Sequence, residues 1–286
     1  MPRPIVVGVD GTPDSLTAAD WAAREARLRG LPLALVHAHT AQALAGGAEQ
    51  QQRAAQDLVE DALARVRARH ADVEVSAESV AGSTVGLLTA RAEGAQSLVL
   101  GSRRPGPVAG FLLGSVGLRV LGRAPCPVVM VRGAAEDDGR AAADTGEVVV
   151  GVQETGAAAD DVLAYAFEAA AARGAPLRAV RSWSLPTLFT YRPGALHLTD
   201  EYGGPQEAQR AQLAATLAPW RERHPRVPVV EQVELGAASE VLVTSSAGAR
   251  LLVVGRRVES GRRYVGHVAH AALHFAAATV ALVPVG

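Results

Sequence analysis

Two stretches of this 286-residue chain recur in the same order, and that repeat limits the possible folds more than any other feature. PIVVGVDGT at Pro4–Thr12 returns as EVVVGVQET at Glu147–Thr155, and SLVLGSR at Ser97–Arg103 returns as LLVVGRR at Leu251–Arg257. Gly114 and Val131 return as Gly266 and Val283. A period of about half the chain is far longer than the roughly 20–50 residues of a solenoid repeat. The reading is therefore two homologous domains in tandem, at 1–133 and 147–286. The small, polar stretch AAEDDGRAAADTG at 134–146 links them.

Within the first copy, strand and helix signals alternate. Ile5–Val9 is a β-branched run of the kind buried in a parallel sheet. Asp14–Arg29 places Leu16, Ala19, Ala22, Ala23 and Ala26 at helical spacing, and Gly30 stops it. Strands follow at Leu33–His37, Val73–Val80, Ser97–Leu100 and Pro127–Val131. Helices are expected at about Glu49–Arg69, Thr84–Glu93 and Ser115–Gly122. The fold class is α/β: two tandem doubly wound domains, each a five-stranded parallel sheet with helices on both faces. In the second copy a long insert, Leu185–Gly204, precedes a helix near Gln206–Arg223 and reads as a surface loop.

Composition narrows the function. Hydrophobic residues make up 49% of the chain and formal net charge is −1, so neither disorder nor a generic attraction to nucleic acid or acidic membrane is indicated. The single cysteine, Cys126, rules out an intrachain disulfide, suits a reducing compartment and reads as a buried thiol. There is neither a secretory leader pattern nor an apolar run of the ~20 residues that a membrane helix needs. The expected localisation is cytoplasmic, with no membrane and no nucleic-acid partner.

A doubly wound sheet binds ligands beyond the carboxyl ends of its strands. Asp10, His37, His39 and the loop after Gly101 all fall on that rim. The stretch from Leu98 to Leu121 reads as strand, glycine- and arginine-rich loop, and helix, an arrangement whose amides can cup phosphate. Each residue also has a plainer reading. Asp10 can cap the helix after Pro13, and Gly101 and Gly114 can be turn or packing glycines. Ser115 can be an N-cap as well as a phosphate contact. Arg103 and Arg104 can form a solvated loop face, and one of His37 and His39 can be tucked inside with the other exposed. His267, His270 and His274 share a helical face, but no HExxH pattern or cysteine pair accompanies them, so no metal site is expected. Trp183 and Trp220 are expected to pack, with Trp183 just past the second strand of the second copy.

At this level of detail the chain resembles a tandem universal stress protein over nearly its whole length. The resemblance rests on VGVDGT, the helix bearing Trp21, LALVHA, LLGSVGLRVL and APCPVVMVR. It rests above all on the family's G-x2-G-x9-G-[S/T] motif, matched by Gly101 and, thirteen positions on, by Gly114-Ser115. Arg104 stands where the motif's second glycine belongs; it gives up backbone freedom and offers charge in return. The resemblance implies a nucleotide in the first domain, with Asp10 near the nucleoside and backbone near His37 and Ala38 at the adenine edge. The implied site is Gly8, Asp10, His37, Ala38, Gly101, Ser102, Arg103, Arg104, Gly106, Gly114, Ser115 and Val116. The ligand would be ATP, with or without Mg2+. In the second copy Asp10 becomes Gln153, the glycines at 255 and 266 stand closer together, and His267 replaces the motif serine; that site is expected to be weak or empty.

The resemblance further implies pairing between Pro127–Val131 and Val280–Val283, and a homodimer. Two functions follow as expectations. One is an ATP-binding regulatory stress protein without committed catalysis beyond weak hydrolysis. The alternative is a nucleotide-independent dimerising scaffold of the same fold. An enzyme acting on a nucleotide ranks third, since no catalytic constellation is visible.

Overall fold

The computed structural model describes residues 2–39, 48–102, 114–132, 146–153, 156–184, 204–257 and 265–285. The proposed linker, apart from Gly146, and the insert, apart from Gly204, lie outside these residues. The chain forms two compact units.

The first unit contains β1 (Ile5–Gly8), α1 (Pro13–Arg29), β2 (Leu33–His39), α2 (Ala48–Arg69), β3 (Val75–Ala81), α3 (Thr84–Ala92), β4 (Ser97–Ser102), α4 (Ser115–Leu121) and β5 (Val128–Arg132). Its strands run parallel in the order β3-β2-β1-β4-β5. The C-terminal strand β10 (Thr279–Val285) is grouped with this unit through Thr279–Pro284. It pairs antiparallel with β5, Val280 opposite Met130 and Leu282 opposite Val128, as the resemblance implied.

The strands form where the sequence is apolar and rich in β-branched residues: Ile5, Val7, Leu98, Val99, Val128 and Val129 are wholly buried. Helix α1 forms on an alanine face. Ala18, Ala19, Ala22, Ala23 and Ala26 are wholly buried, and their small side chains let the helix axis lie close to the sheet. Its start is built by Thr12, whose Oγ1 accepts from Ser15 N, with Pro13 in the first turn where no N–H is missed. Its end is Gly30 at φ 63°, a left-handed position whose N–H reaches Ala26 O and Arg27 O. Asp10 is therefore not the cap, one of the two readings open to it. Its carboxylate accepts from Thr12 N at 3.1 Å and Thr12 Oγ1 at 2.5 Å, so it orders the residue that caps.

Helices α1 and α2 are joined by charge. Buried Asp20 accepts from Arg65 Nη2 at 3.1 Å and Arg69 Nη1 at 2.5 Å, and His70 Nε2 stands 3.9 Å away.

The second unit contains β6 (Val148–Gly151), α5 (Ala157–Arg173), β7 (Leu177–Trp183), α6 (Gly204–Arg223), β8 (Val229–Leu235), α7 (Ala238–Ser245), β9 (Leu251–Arg257) and α8 (His267–Phe275). Its strands run parallel in the order β9-β6-β7-β8. Trp183 is the last residue of β7 rather than lying past it. The charged cluster of the first unit has an aromatic counterpart. His224, at the position of His70, stacks on Phe167 at 5.3 Å, and Trp220 stacks on the same ring at 5.9 Å. Phe167 is wholly buried, worth about 1.5–3 kcal/mol relative to exposure. Cys126 is buried, its Sγ 3.5 Å from Pro127 O. No described helix is long and apolar enough to cross a membrane.

Candidate functional site

In the first unit, the ends of β1, β2 and β4 and the first turns of α1 and α4 enclose a cavity of about 390 Å3. Gly8, Asp10, His37, Ala38, Gly101, Gly114, Ser115 and Val116 all line it. These residues are scattered through the first 116 positions, and the parallel order of β2, β1 and β4 brings them together. The volume lies within the roughly 300–1,000 Å3 typical of small-molecule sites. Ser102, also expected, is buried at the end of β4 and is not part of the lining. Arg103, Arg104 and Gly106 lie outside the described residues.

The rim is held by side chain to backbone bonds. His37 Nδ1 lies 2.7 Å from Val9 O. A carbonyl only accepts, so Nδ1 carries the proton and a neutral ring keeps Nε2 as an acceptor. Neither of the strand-end histidines is tucked inside or fully exposed: His37 and His39 are both half-buried, and His39 Nδ1 pairs with Ser79 Oγ at 3.1 Å. Ser15 Oγ donates to Thr12 O at 2.9 Å and accepts from Asp10 N at 3.2 Å. The turn from β1 into α1 is thus cross-tied by Asp10, Thr12 and Ser15.

Gly101 is demanded by packing. A Cβ there would lie 2.4 Å from Asp14 O and 2.9 Å from Ser15 N, both backbone atoms of α1. The residue keeps the first turn of α1 against β4 and so shapes the cavity wall. At the other wall Gly114 is the N-cap of α4 and has no side chain with which to cap it. Ser115 is its first helical residue rather than its cap.

Sequence reasoning missed Thr12, Ser15, Thr84, Leu88, Leu100 and Met130 among the lining residues. For Thr12 a signal existed, because threonine directly before proline marks a helix start. The apolar members gave none: a leucine on the cavity floor reads like any core leucine.

At the equivalent rim of the second unit a buried arginine is bonded to its neighbours. Arg181 stands at the position of His37 and is buried. Its Nε donates to Gln209 Oε1 at 2.7 Å, its Nη2 to Gln212 Oε1 at 2.8 Å, and its Nη1 to Gln153 O at 3.3 Å. Nη1 also faces Val152 O at 3.5 Å, the counterpart of the carbonyl His37 meets. Ser182 Oγ lies 3.5 Å from Gln153 Oε1.

Comparison with known proteins agrees with this architecture. The model of the universal stress protein family matches twice, at residues 1–132 and 145–284. The chain belongs to the universal stress protein family, as a tandem member. Universal stress protein Rv2005c of Mycobacterium tuberculosis is 32% identical over 285 residues, covering 95% of this chain and 94% of that one. Universal stress protein Rv2623 of the same organism is 33% identical over 268 residues, covering 90% and 87%. A universal stress protein from Archaeoglobus fulgidus superposes over 99% of this chain and 98% of its own with a TM-score of 0.72 at 16% identity, a likeness of fold.

Proposed function

We propose that this chain is an ATP-binding regulatory protein of the stress-protein class, with one nucleotide held in the first unit. The observation that carries the reading is the cavity on which eight separately expected residues converge. Gly101 permits the close approach of α1 to β4, Asp10 offers a carboxylate at the mouth, and His37 and Ala38 border the end suited to a planar base. The first turn of α4, at Ser115, Val116 and Gly117 behind the glycine N-cap, borders the same space and suits an anionic group.

In the second unit Arg181 takes the place of His37 and Gln153 that of Asp10, which supports a single occupied site per chain. Regulation rather than turnover fits the rim chemistry. Among the described residues the rim hydroxyls of Thr12 and Ser15 are engaged in building a helix start: Thr12 Oγ1 donates to Asp10 and accepts from Ser15 N, Ser15 Oγ donates to Thr12 O, and His37 Nδ1 is tied to Val9 O. Nucleotide binding would bias the packing of the α1 and α4 starts, and through them a homodimer in the cytoplasm.

The test is mass spectrometry of nucleotide released by denaturing the purified, tag-free protein. Calorimetric titration with ATP, ADP and AMP, each with and without Mg2+, accompanies it. One adenine nucleotide per chain is expected, ATP binding tightest. A folded protein that neither retains nor binds any of them would replace this reading with the nucleotide-independent scaffold.

A further inference from the structure

We propose that the second unit carries a site for a small organic carboxylate, one carboxyl group on a short apolar body, between the end of α5 and the turn from α6 into β8. A cavity of about 440 Å3 lies there, in the size class of small-molecule sites. Ala171, Gly174 and Ala175 line one side, and Arg223, His224 and Arg226 the other.

The two arginines bring charge that the chain does not neutralise. Among the described residues neither Arg223 nor Arg226 has a carboxylate or carbonyl partner. Arg223 holds its guanidinium over the Trp220 ring, 4.9 Å from the centroid. Such stacking engages the face of the planar group and leaves its in-plane N–H groups free to donate. The helix end beside them does not call on them. Gly174 N reaches Ala171 O at 3.1 Å and Ala175 N reaches Ala170 O at 3.0 Å, so those carbonyls of α5 are already met. The His224 ring is oriented by packing, stacked on Phe167 at 5.3 Å and 6.3 Å from Trp220.

The first copy identifies the anion. There Asp20 of α1 accepts from Arg69 Nη1 at 2.5 Å, and His70 Nε2 stands 3.9 Å away. Arg69 and His70 correspond in the repeat to Arg223 and His224. The position of Asp20 is Ala164 in the second copy, and that of Asp72 is Arg226. One internal carboxylate is lost and a second arginine gained. Arg27 and Leu31 have become Ala171 and Ala175, smaller side chains on the cavity wall. The second copy therefore keeps the cation, lacks its anion and has space beside it. A carboxylate from outside supplies the missing partner, two oxygens matching the fork of an arginine. Ala171, Ala175 and Val227 give its body apolar contact.

The experiment uses full-length, tag-free protein at low ionic strength, with para-fluorobenzoate followed by fluorine NMR. Saturable binding of one molecule per chain is expected. The neutral isostere para-fluorobenzamide should bind at least about fivefold more weakly, and so should inorganic phosphate, measured by competition, because it lacks the apolar body. Arg223→Gln and Arg226→Gln should each weaken para-fluorobenzoate binding about fivefold or more, as loss of a charge-assisted hydrogen bond does. Arg210→Gln removes the same charge from an exposed position of α6 and should bind like the parent. All three positions are exposed, and circular dichroism confirms the unchanged fold. Absence of saturable binding would overturn the assignment. So would binding unchanged in both cavity variants, an equal loss in Arg210→Gln, or para-fluorobenzamide binding as tightly as the acid. Phosphate competing more tightly than para-fluorobenzoate would overturn the carboxylate in favour of a phosphate group.

Discussion

The Cβ that Gly101 lacks would stand 2.4 Å from the carbonyl oxygen of Asp14, so β4 and the first turn of α1 touch backbone to backbone. Neither atom can swing aside as a side chain would. Gly101→Ala should therefore push α1 outward and lower stability by about 1–3 kcal/mol, the usual cost of overpacking. The same change at Gly255 meets only side chains, Val162 at 3.2 Å and Val285 at 3.4 Å, and should cost less. Urea denaturation of the two variants measures this. Equal midpoints would show that α1 and β4 are not in the contact described.

Asp10 separates ligand chemistry from turn chemistry more cleanly than Gly101 does. It is exposed, and its carboxylate accepts from Thr12 N and Oγ1. Asp10→Ala removes those two bonds but leaves the Thr12 cap on Ser15 N, so stability should fall by about 1 kcal/mol or less. Affinity for ATP should fall by about tenfold or more, equivalent to roughly 1.4 kcal/mol. Asp10→Asn keeps an acceptor for Thr12 and should recover the stability without the affinity. If Asp10→Ala binds ATP like the parent, the carboxylate serves the turn alone.

Much of this arrangement could be read in the residues. The runs at Ile5, Leu33, Ser97 and Val128 announce a buried parallel sheet because β-branched stretches between helical patterns have few other uses. The repeat announces its second copy. The convergence of Asp10, His37 and Gly101 followed from the rule that such sheets bind at their carboxyl edge. What escaped was set by packing partners distant in sequence. A glycine required by the backbone of α1 looks the same as one required by a phosphate. Asp20 reads as a solvent residue on an alanine helix until Arg65 and Arg69, some 45 residues on, are placed against it. Arg181 reads as an ordinary strand charge until Gln209 and Gln212 of α6 surround it.

That arginine yields a prediction about the second unit. Arg181→Ala removes a buried donor set from Gln209, Gln212 and the Gln153 carbonyl. Gln153 and Gln212 are exposed and Gln209 half-buried, so water takes the arginine's place and each lost bond costs about 0.5–1.5 kcal/mol. The variant should unfold at lower urea while binding ATP with parental affinity, at one nucleotide per chain. Calorimetry alongside denaturation checks both halves, and a second nucleotide bound by the variant would mean that the arginine alone had kept that rim closed.

His70 should make the α1–α2 contact sensitive to acid. The ring is buried at the end of α2, and burial lowers its pKa below the usual value of 6.5. Asp20, with Nε2 3.9 Å away, pulls the pKa back up, and Arg24, Arg27 and Arg69 push it further down. In the unfolded chain the imidazole takes up its proton near pH 6.5, whereas the folded chain resists until a lower pH. Between those two values the unfolded state holds more protons. The stability from neutral His70 is therefore complete above about pH 6.5 and drains away as pH falls through that window. His70→Gln cannot titrate and should lose less stability between pH 7.5 and pH 5.5 than the parent. Urea midpoints for both proteins at the two pH values decide it. A parent whose midpoint falls no more than that of His70→Gln would place the acid sensitivity elsewhere, and a parent that gains stability on acidification would mean that Asp20 outweighs burial and the three arginines.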